Sequence, residues 1–323
     1  MVGAPVKKTI LAVVLLCALP ANAGPSPTDL QLLKRIEKEG TNVQGLPSES
    51  DVDLWTRVEK AMTHIQAMRY DLVKRERLWP DKDLAPEESF SVKFRKPYDI
   101  YMNVTGGPNM GRHYLYRRGW PYMKVHVFGP LLQWMVPKIP PISRLALEGD
   151  HHAITDAAYD NTCAMIREGL LRNVQLREKD PTHPLIKIDP IQEVDDDGFP
   201  SYYYRSVNPD VFQSYTVTPQ DKTIFDIGPR IAAHPYLLQY YNPAKVPAFD
   251  SVKTGDVLRY PLYYGRVTEF WVDRRTLLLH HIRITDFNGK LYEEYKYRNI
   301  RTDGDAALTD FDFDPGNPDY GGF

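Results

Sequence analysis

Cysteine is nearly absent: the 323 residues include two, Cys17 and Cys163. Cys17 lies in an N-terminal apolar stretch that is expected to be cleaved off, so the remaining chain keeps one thiol and has no internal disulfide. Basic excess is also missing, since 40 Lys and Arg stand against 42 Asp and Glu. That removes the counterion-release drive behind nucleic-acid binding. Reaction signatures are missing too. The chain has no Gly-x-Ser-x-Gly elbow, no His-Glu-x-x-His, no Gly-x-Gly-x-x-Gly, no Walker loop and no haem-attachment motif, and no cofactor is expected. The acidic runs around Gly198 and over Asp310, Asp312 and Asp314 fail as calcium loops. One puts Tyr204 where a bidentate glutamate belongs, and the other puts Pro315 at the glycine position.

What is present begins with an address. Lys7 and Lys8 precede the apolar run Ile10 to Leu19, followed by Pro20 and Ala21-Asn22-Ala23 before Gly24. A basic flank, a short greasy core and a small-x-small end are what a signal peptidase reads. The run is too short for a bilayer, which needs about 20 residues. Residues 1–23 are therefore expected to be a removed signal peptide, leaving a periplasmic or secreted protein without a transmembrane segment. Leu16 stands where a small residue should precede a lipidated Cys17, so lipoprotein processing is disfavoured. Loss of Lys7 and Lys8 takes the formal net charge from −2 to about −4.

Residues 24–50 read as a helix and linker: Ser26 as cap, Pro27 at the first helical position, Gly40 beyond the end, then a polar stretch with Gly45 and Pro47. A second helix is expected from Ser50 or Asp51, with Leu54, Trp55, Val58, Met62, Ile65 and Met68 as its apolar stripe. From Tyr70 the period changes to two. Phe90, Val92 and Phe94 alternate with Ser89, Ser91, Lys93 and Arg95, and Ile100, Met102 and Val104 continue the pattern. Met123, Val125 and Val127 close this meander. Hairpins are expected around Asp195-Asp196-Asp197-Gly198 and Asn288-Gly289, with a strand over 267–272 beside the latter. A short helix is expected over 235–241. Residues 51–323 thus read as a single α+β domain: a long, strongly curved antiparallel sheet with helices laid over one face. The 21 tyrosines and 27 prolines fit a sheet-rich, loop-rich chain.

Several groups of residues are candidate sites. The dry face carrying Phe90, Phe94, Met102 and Val125 would either fill the core or line an apolar cavity. The proline-rich crossing over 129–144 contains Trp134 and Met135 among six apolar residues; it packs on the core or acts as a lid or a peripheral membrane contact. A cross-strand polar cluster of Glu76 with Lys93 or Arg95 is expected, against solvated charges as the plainer alternative. The best metal-like group is His151-His152 with Asp156. Adjacent histidines point apart, so a metal would need Asp156 and at least one remote ligand; loop histidines are preferred and no metal is assigned. His280-His281 in a strand should face opposite sides. Cys163, on a helical-period face with Tyr159 and Ile166, is read as core filler.

The segment Val92-Lys93-Phe94-Arg95-Lys96-Pro97-Tyr98 with Tyr101-Met102 and Gly111-Arg112 resembles the secreted bacterial family called domain of unknown function 1571. So does the ending Leu308-Thr309-Asp310-Phe311-Asp312-Phe313-Asp314-Pro315 with Asn317-Pro318. That family has no established reaction. Its members look similar to the lipoprotein-localisation carriers, a LolA-like half-open barrel whose cavity holds acyl chains; that resemblance makes the helix-covered face the concave one. The resemblance implies a non-enzymatic envelope binding protein for a lipid, lipoprotein or other amphiphile. The alternatives are an envelope-acting hydrolase built on a His/Asp cluster and a protein–protein scaffold.

Overall fold

The computed structural model describes residues 49–320, apart from 79–82, 128–135, 142, 148–149, 158, 160–161, 164, 167–171, 173–175, 177–178 and 185. The expected signal peptide, the first expected helix, Trp134 and Met135 lie outside the described residues. In chain order the elements are α1 (Glu49–His64), β1 (Ala67–Glu76), β2 (Glu88–Arg95), β3 (Asp99–Gly106), β4 (Arg112–Tyr116), β5 (Met123–Val127), β6 (Lys138–Ile139) and α2 (Arg144–Leu147). They continue with β7 (Lys187–Ile188), β8 (Gln192–Asp196), β9 (Phe199–Val207), β10 (Phe212–Thr216), α3 (Ile224–Ile231), α4 (Pro235–Tyr241) and β11 (Val257–Pro261). The last are β12 (Val267–Asp273), β13 (Leu279–Thr285), β14 (Leu291–Thr302) and α5 (Asp303–Ala306). Short 3₁₀ turns span Ile154–Asp156, Asp310–Phe313 and Pro318–Tyr320. The described residues form two compact units, one of residues 211–264 and one of the rest.

The larger unit is a 12-stranded sheet in the order β6-β5-β4-β3-β2-β1-β14-β13-β12-β9-β7, with β8 also pairing β9. Every ladder is antiparallel. The sheet is open, with β6 and β7 at its ends. The α+β class with one long antiparallel sheet therefore holds. Strand alternation decides its faces: Met68, Tyr70, Leu72, Lys74 and Glu76 of β1 are buried while their neighbours are half-buried. Register carries this face across the sheet, pairing Met68 with Phe94, Tyr70 with Val92, Leu72 with Phe90 and with Tyr297, and Val92 with Met102. Met102 in turn pairs with Tyr114, and Tyr114 with Val125.

Helix α1 lies over this inward face. Val58 and Met62 are fully buried, and Trp55 meets the rings of Tyr204 and Phe270 at centroid distances of 5.7 and 6.2 Å. Burying each large apolar side chain contributes about 1.5–3 kcal/mol. Where α1 ends, Asp303 fixes the turn into β1 by accepting from the Gln66 and Ala67 amides. Tyr70 and Tyr159 pack on Tyr297, and Cys163 is buried, as core filler should be.

The opposite face of β2–β4 is covered by the C-terminal segment. Tyr320 stacks on Tyr101 at 3.8 Å, and these join Leu115 and Phe313 in one buried cluster flanked by Trp120 and Leu308. The hairpin at Asn288-Gly289 forms with the Asp286 amide donating to the Lys290 carbonyl, which leaves a three-residue loop. Gly289 alone takes positive φ there, and Asp286 anchors the loop by accepting from the Asn288 and Lys290 amides. The β8–β9 turn uses Asp197 and Gly198, both at positive φ.

In residues 211–264, β10 pairs β11, and the two short helices α3 and α4 follow β10 in the chain. A capping box starts α3: Thr223 accepts from the Phe225 amide while Asp226 accepts from the Thr223 amide. Pro235 opens α4 at its first position, where no amide is needed. Asn242 then ties α4 to β11, its amide donating to the Leu238 and Arg259 carbonyls and its carbonyl accepting from the Arg259 amide. The sequence reading anticipates α4 but not α3, whose Gly228 and Pro229 weaken the helical signal.

Candidate functional site

Along β1 the inward face is apolar through Leu72 and then becomes ionic. Lys74 pairs in register with Glu88 on β2 and Tyr295 on β14, and Glu76 pairs with Glu293. Strand alternation sends all of these side chains inward, so they are buried by geometry and must be satisfied by one another. Residues 150–152 lie over them. The Lys74 ammonium is bonded to Asp150 and lies 3.5 Å from Glu76 and 3.6 Å from Glu88. Glu76 accepts from the Tyr295 hydroxyl and, at 3.1 Å, from the His151 amide.

The two histidines converge on one oxygen. His151 Nδ1 is 3.0 Å from Glu293 Oε2, and His152 Nε2 is 3.4 Å from the same atom. Their other nitrogens also face acceptors: His151 Nε2 donates to the Arg77 carbonyl at 3.0 Å, and His152 Nδ1 lies 3.8 Å from Asp156 Oδ2. His151 is further held by stacking on Tyr292 at 4.3 Å. Glu76, His151 and Glu293 offer donor atoms that all lie within 4.8 Å of one another, at 3%, 4% and 2% exposure. His152, 22% exposed, is on the solvent side of the group.

Electrostatics follow from this crowding. Burial alone would raise the Glu76 carboxyl, but Lys74, His151, His152 and the Tyr295 hydroxyl outweigh it and hold it low. Glu293 is held well below the carboxylate range by His152 and His151 in spite of its burial. Burial would lower His152, yet Glu293 and Asp156 push it up to about 10. The arrangement favours positive charge, here carried by the Lys74 ammonium and by His152.

The sequence-predicted site residues divide. Phe90, Phe94, Met102 and Val125 do share the inward face, with Met102 half-buried and the others buried. The expected cluster of Glu76 with Lys93 and Arg95 does not form, because Glu76 follows the inward phase of β1 while Lys93 pairs with Arg69 on the outward one. Lys93 and Arg69 instead meet Asp312, each at 2.8 Å, and Arg95 meets Asp99 and Asp310. His151, His152 and Asp156 do come together. Their rings do not point apart, however, since the loop backbone turns both toward Glu293. The sequence reading names Glu76 only as a partner of Lys93 or Arg95 and does not name Glu293. Their signals are the alternation from Met68 to Glu76 in β1 and that of Glu293, Tyr295 and Tyr297 in β14, which place both carboxylates at inward positions.

His280 and His281 also depart from expectation. A register shift between Trp271 and Val272 marks a bulge on this pair, and both rings reach Asp196 Oδ2, at 3.6 and 3.1 Å. His281 further contacts Glu294 and stacks on Trp271 at 4.1 Å, while His280 meets the Ser201 hydroxyl at 2.7 Å. Burial pushes His280 down to about 4, with Asp196 opposing. In β4, burial and His126 push His113 down to about 4. A histidine whose folded pKa is depressed favours the folded chain above its ordinary pKa of about 6.5 and loses that contribution as pH falls from there toward 4. Each unit of depression is worth about 1.4 kcal/mol. Melting temperatures followed by circular dichroism should therefore fall between pH 7 and 4.5, and His113→Gln should flatten that slope. An unchanged slope would show that His113 is accessible to protons in the folded chain.

No helix among the described residues is long and apolar enough to cross a membrane. The fold and site define an open antiparallel sheet carrying a buried ionic cluster at one end of an otherwise apolar face. No family model matches the chain, and no curated protein matches it. The likeness to domain of unknown function 1571 therefore rests on the segments quoted above. Solved structures do match. A DUF1329 family protein from Desulfovibrio piger is 13% identical, with a TM-score of 0.33, over 81% of this chain and 95% of that one. A LolA superfamily protein from Nitrosomonas europaea is 11% identical, with a TM-score of 0.30, over 81% and 96%. The lipoprotein LppX of Mycobacterium tuberculosis is 9% identical, with a TM-score of 0.36, over 80% and 98%.

Proposed function

We propose that this chain is a non-enzymatic binding protein of the bacterial cell envelope for a lipid, a lipidated protein or another amphiphile. The observation that carries this reading is the change of character along one face of the sheet. Phe94, Val92, Phe90 and Leu72 give way to Lys74, Glu88, Glu76 and Glu293 within two residues of strand. Such a face suits a molecule with an apolar body and a polar end, because each part finds its own kind of surface. Lys7, Lys8 and the apolar run before Ala23-Gly24 support export to the compartment where such molecules travel. In this reading Trp134 and Met135 supply an apolar cover.

Native mass spectrometry of protein purified without detergent tests it, followed by titration with a fluorescent fatty acid and with phosphatidylglycerol vesicles. A retained amphiphile, or saturable binding weakened about tenfold by Met102→Lys and by Trp134→Ala with unchanged melting temperature, is expected. The reading is abandoned if nothing is retained and neither probe binds.

A further inference from the structure

We propose that Glu76, His151, His152 and Glu293 form a binding site for a divalent transition metal ion of the zinc class. This goes beyond amphiphile binding and stands or falls apart from it. The four donors come from three separate places in the chain: β1, the loop at 151–152 and β14. The pairing of β1 with β14 sets Glu76 beside Glu293, and the loop lays both histidines over them.

The protonation of the histidines is the first argument. A backbone carbonyl can only accept, so His151 Nε2 must carry the hydrogen that it donates to Arg77. In neutral His151 the lone pair of Nδ1 then points at Glu293 Oε2, 3.0 Å away, and two acceptors face each other. His152 brings a second imidazole nitrogen to the same oxygen, its Nε2 lying 3.4 Å from Glu293 Oε2 while Asp156 Oδ2 lies 3.8 Å from its Nδ1. Something positive belongs between His151 and Glu293. Either a proton on Nδ1 or a cation meets that need, and a cation there is also within reach of His152.

Distances accommodate a shared cation. Bonds of about 2.0–2.2 Å in a tetrahedral zinc site separate neighbouring donor atoms by about 3.3–3.5 Å. The two histidine-to-Glu293 separations of 3.0 and 3.4 Å bracket the lower end of that range, and Glu76 lies within the same 4.8 Å group. Two imidazoles with two carboxylates are a donor set that suits zinc-class ions.

The surroundings are those of an oriented ligand shell. Metal-bound histidines donate their far N–H to a carbonyl or carboxylate, and here the Arg77 carbonyl takes that place for His151, while Asp156 lies 3.8 Å from the far nitrogen of His152. Glu76 is held by the Tyr295 hydroxyl and the His151 amide, and His151 by its stack on Tyr292. Once the ion has displaced the protons of its histidines, Glu76, Glu88, Glu293 and Asp150 outnumber the single ammonium of Lys74, and the dication offsets that imbalance. His152, the partly exposed member, gives the ion its way in.

The test is isothermal titration of the chelator-stripped protein with zinc sulfate at pH 7.5, together with X-ray absorption of the loaded protein. One ion per chain with Kd below about 1 μM is expected, with protons released as the metal displaces them. Glu293→Gln and His152→Ala should each weaken it at least about a hundredfold, and Asp156→Asn, a positioning change, about tenfold. No binding at 100 μM zinc, or unchanged affinity in both ligand variants, overturns the proposal. Should the variants fail to fold by circular dichroism, the absorption spectrum decides. A shell of nitrogen and oxygen with two imidazoles supports the site, and a shell with sulfur or without imidazole overturns it.

Discussion

Replacing Lys74 with methionine is expected to lower the unfolding free energy by about 3–5 kcal/mol, the range found when one partner of a buried charge set is removed. Methionine keeps the length and most of the volume of the side chain, so the loss is one of charge. Three carboxylates depend on that ammonium: Asp150 is bonded to it, and Glu76 and Glu88 lie at 3.5 and 3.6 Å. Glu76 and Glu88 are buried, so water does not replace what is lost. Its contact with the Phe90 ring, at 5.3 Å from the centroid, is a smaller term. Urea unfolding followed by tryptophan fluorescence measures the change, and adding Glu88→Gln to Lys74→Met should recover part of it by removing one of the stranded charges. A loss under about 1 kcal/mol would mean that the cluster behaves as a solvated surface network.

Phe313→Ala should cost about 3–5 kcal/mol as well, for a different reason. Its ring is completely buried among Tyr101, Leu115 and Tyr320, and the Arg95 guanidinium lies 4.8 Å from its centroid. Removing it leaves a cavity beneath the C-terminal segment, which keeps its ties of Asp312 to Arg69 and Lys93, of Asp310 to Arg95, and of the Tyr320 ring to Tyr101. The weakening should be local first. Hydrogen exchange should show lost protection over 308–320 and in β3 and β4, with β13 unchanged; uniform loss across the sheet would mean that the segment unfolds only with the whole.

Local pattern made much of this sheet legible. Strand β2 spans the residues that alternation marks, because Phe90, Val92 and Phe94 need one face and their polar neighbours the other. The Asn288-Gly289 turn and α4 were legible for similar reasons, each carrying its own chemistry within a few residues. The ionic cluster was half visible. His151, His152 and Asp156 lie close in sequence, but His151 meets Glu76 across 75 residues and Glu293 across 142. Nothing local says that β1 will pair with β14. Charged residues on a strand also read by default as solvent-facing, although the phase running from Met68 through Leu72 already pointed Lys74 and Glu76 inward. The same parity placed Lys93 and Arg95 outward, so their expected partnership with Glu76 failed by a rule the sequence itself contains. The bulge that turns both His280 and His281 toward Asp196 leaves no such mark.

The two ends of the open sheet bear on how the chain behaves in a crowd of its own kind. Among the described residues β6 is two residues long, too short to template another chain by ladder bonds. At the other end β7 is equally short, and β8 beside it presents Glu193, Asp195 and Asp196. Two copies meeting antiparallel through β8 would set carboxylate against carboxylate. Both described rims of this sheet thus offer a second copy little ladder to extend, which discourages edge-to-edge growth.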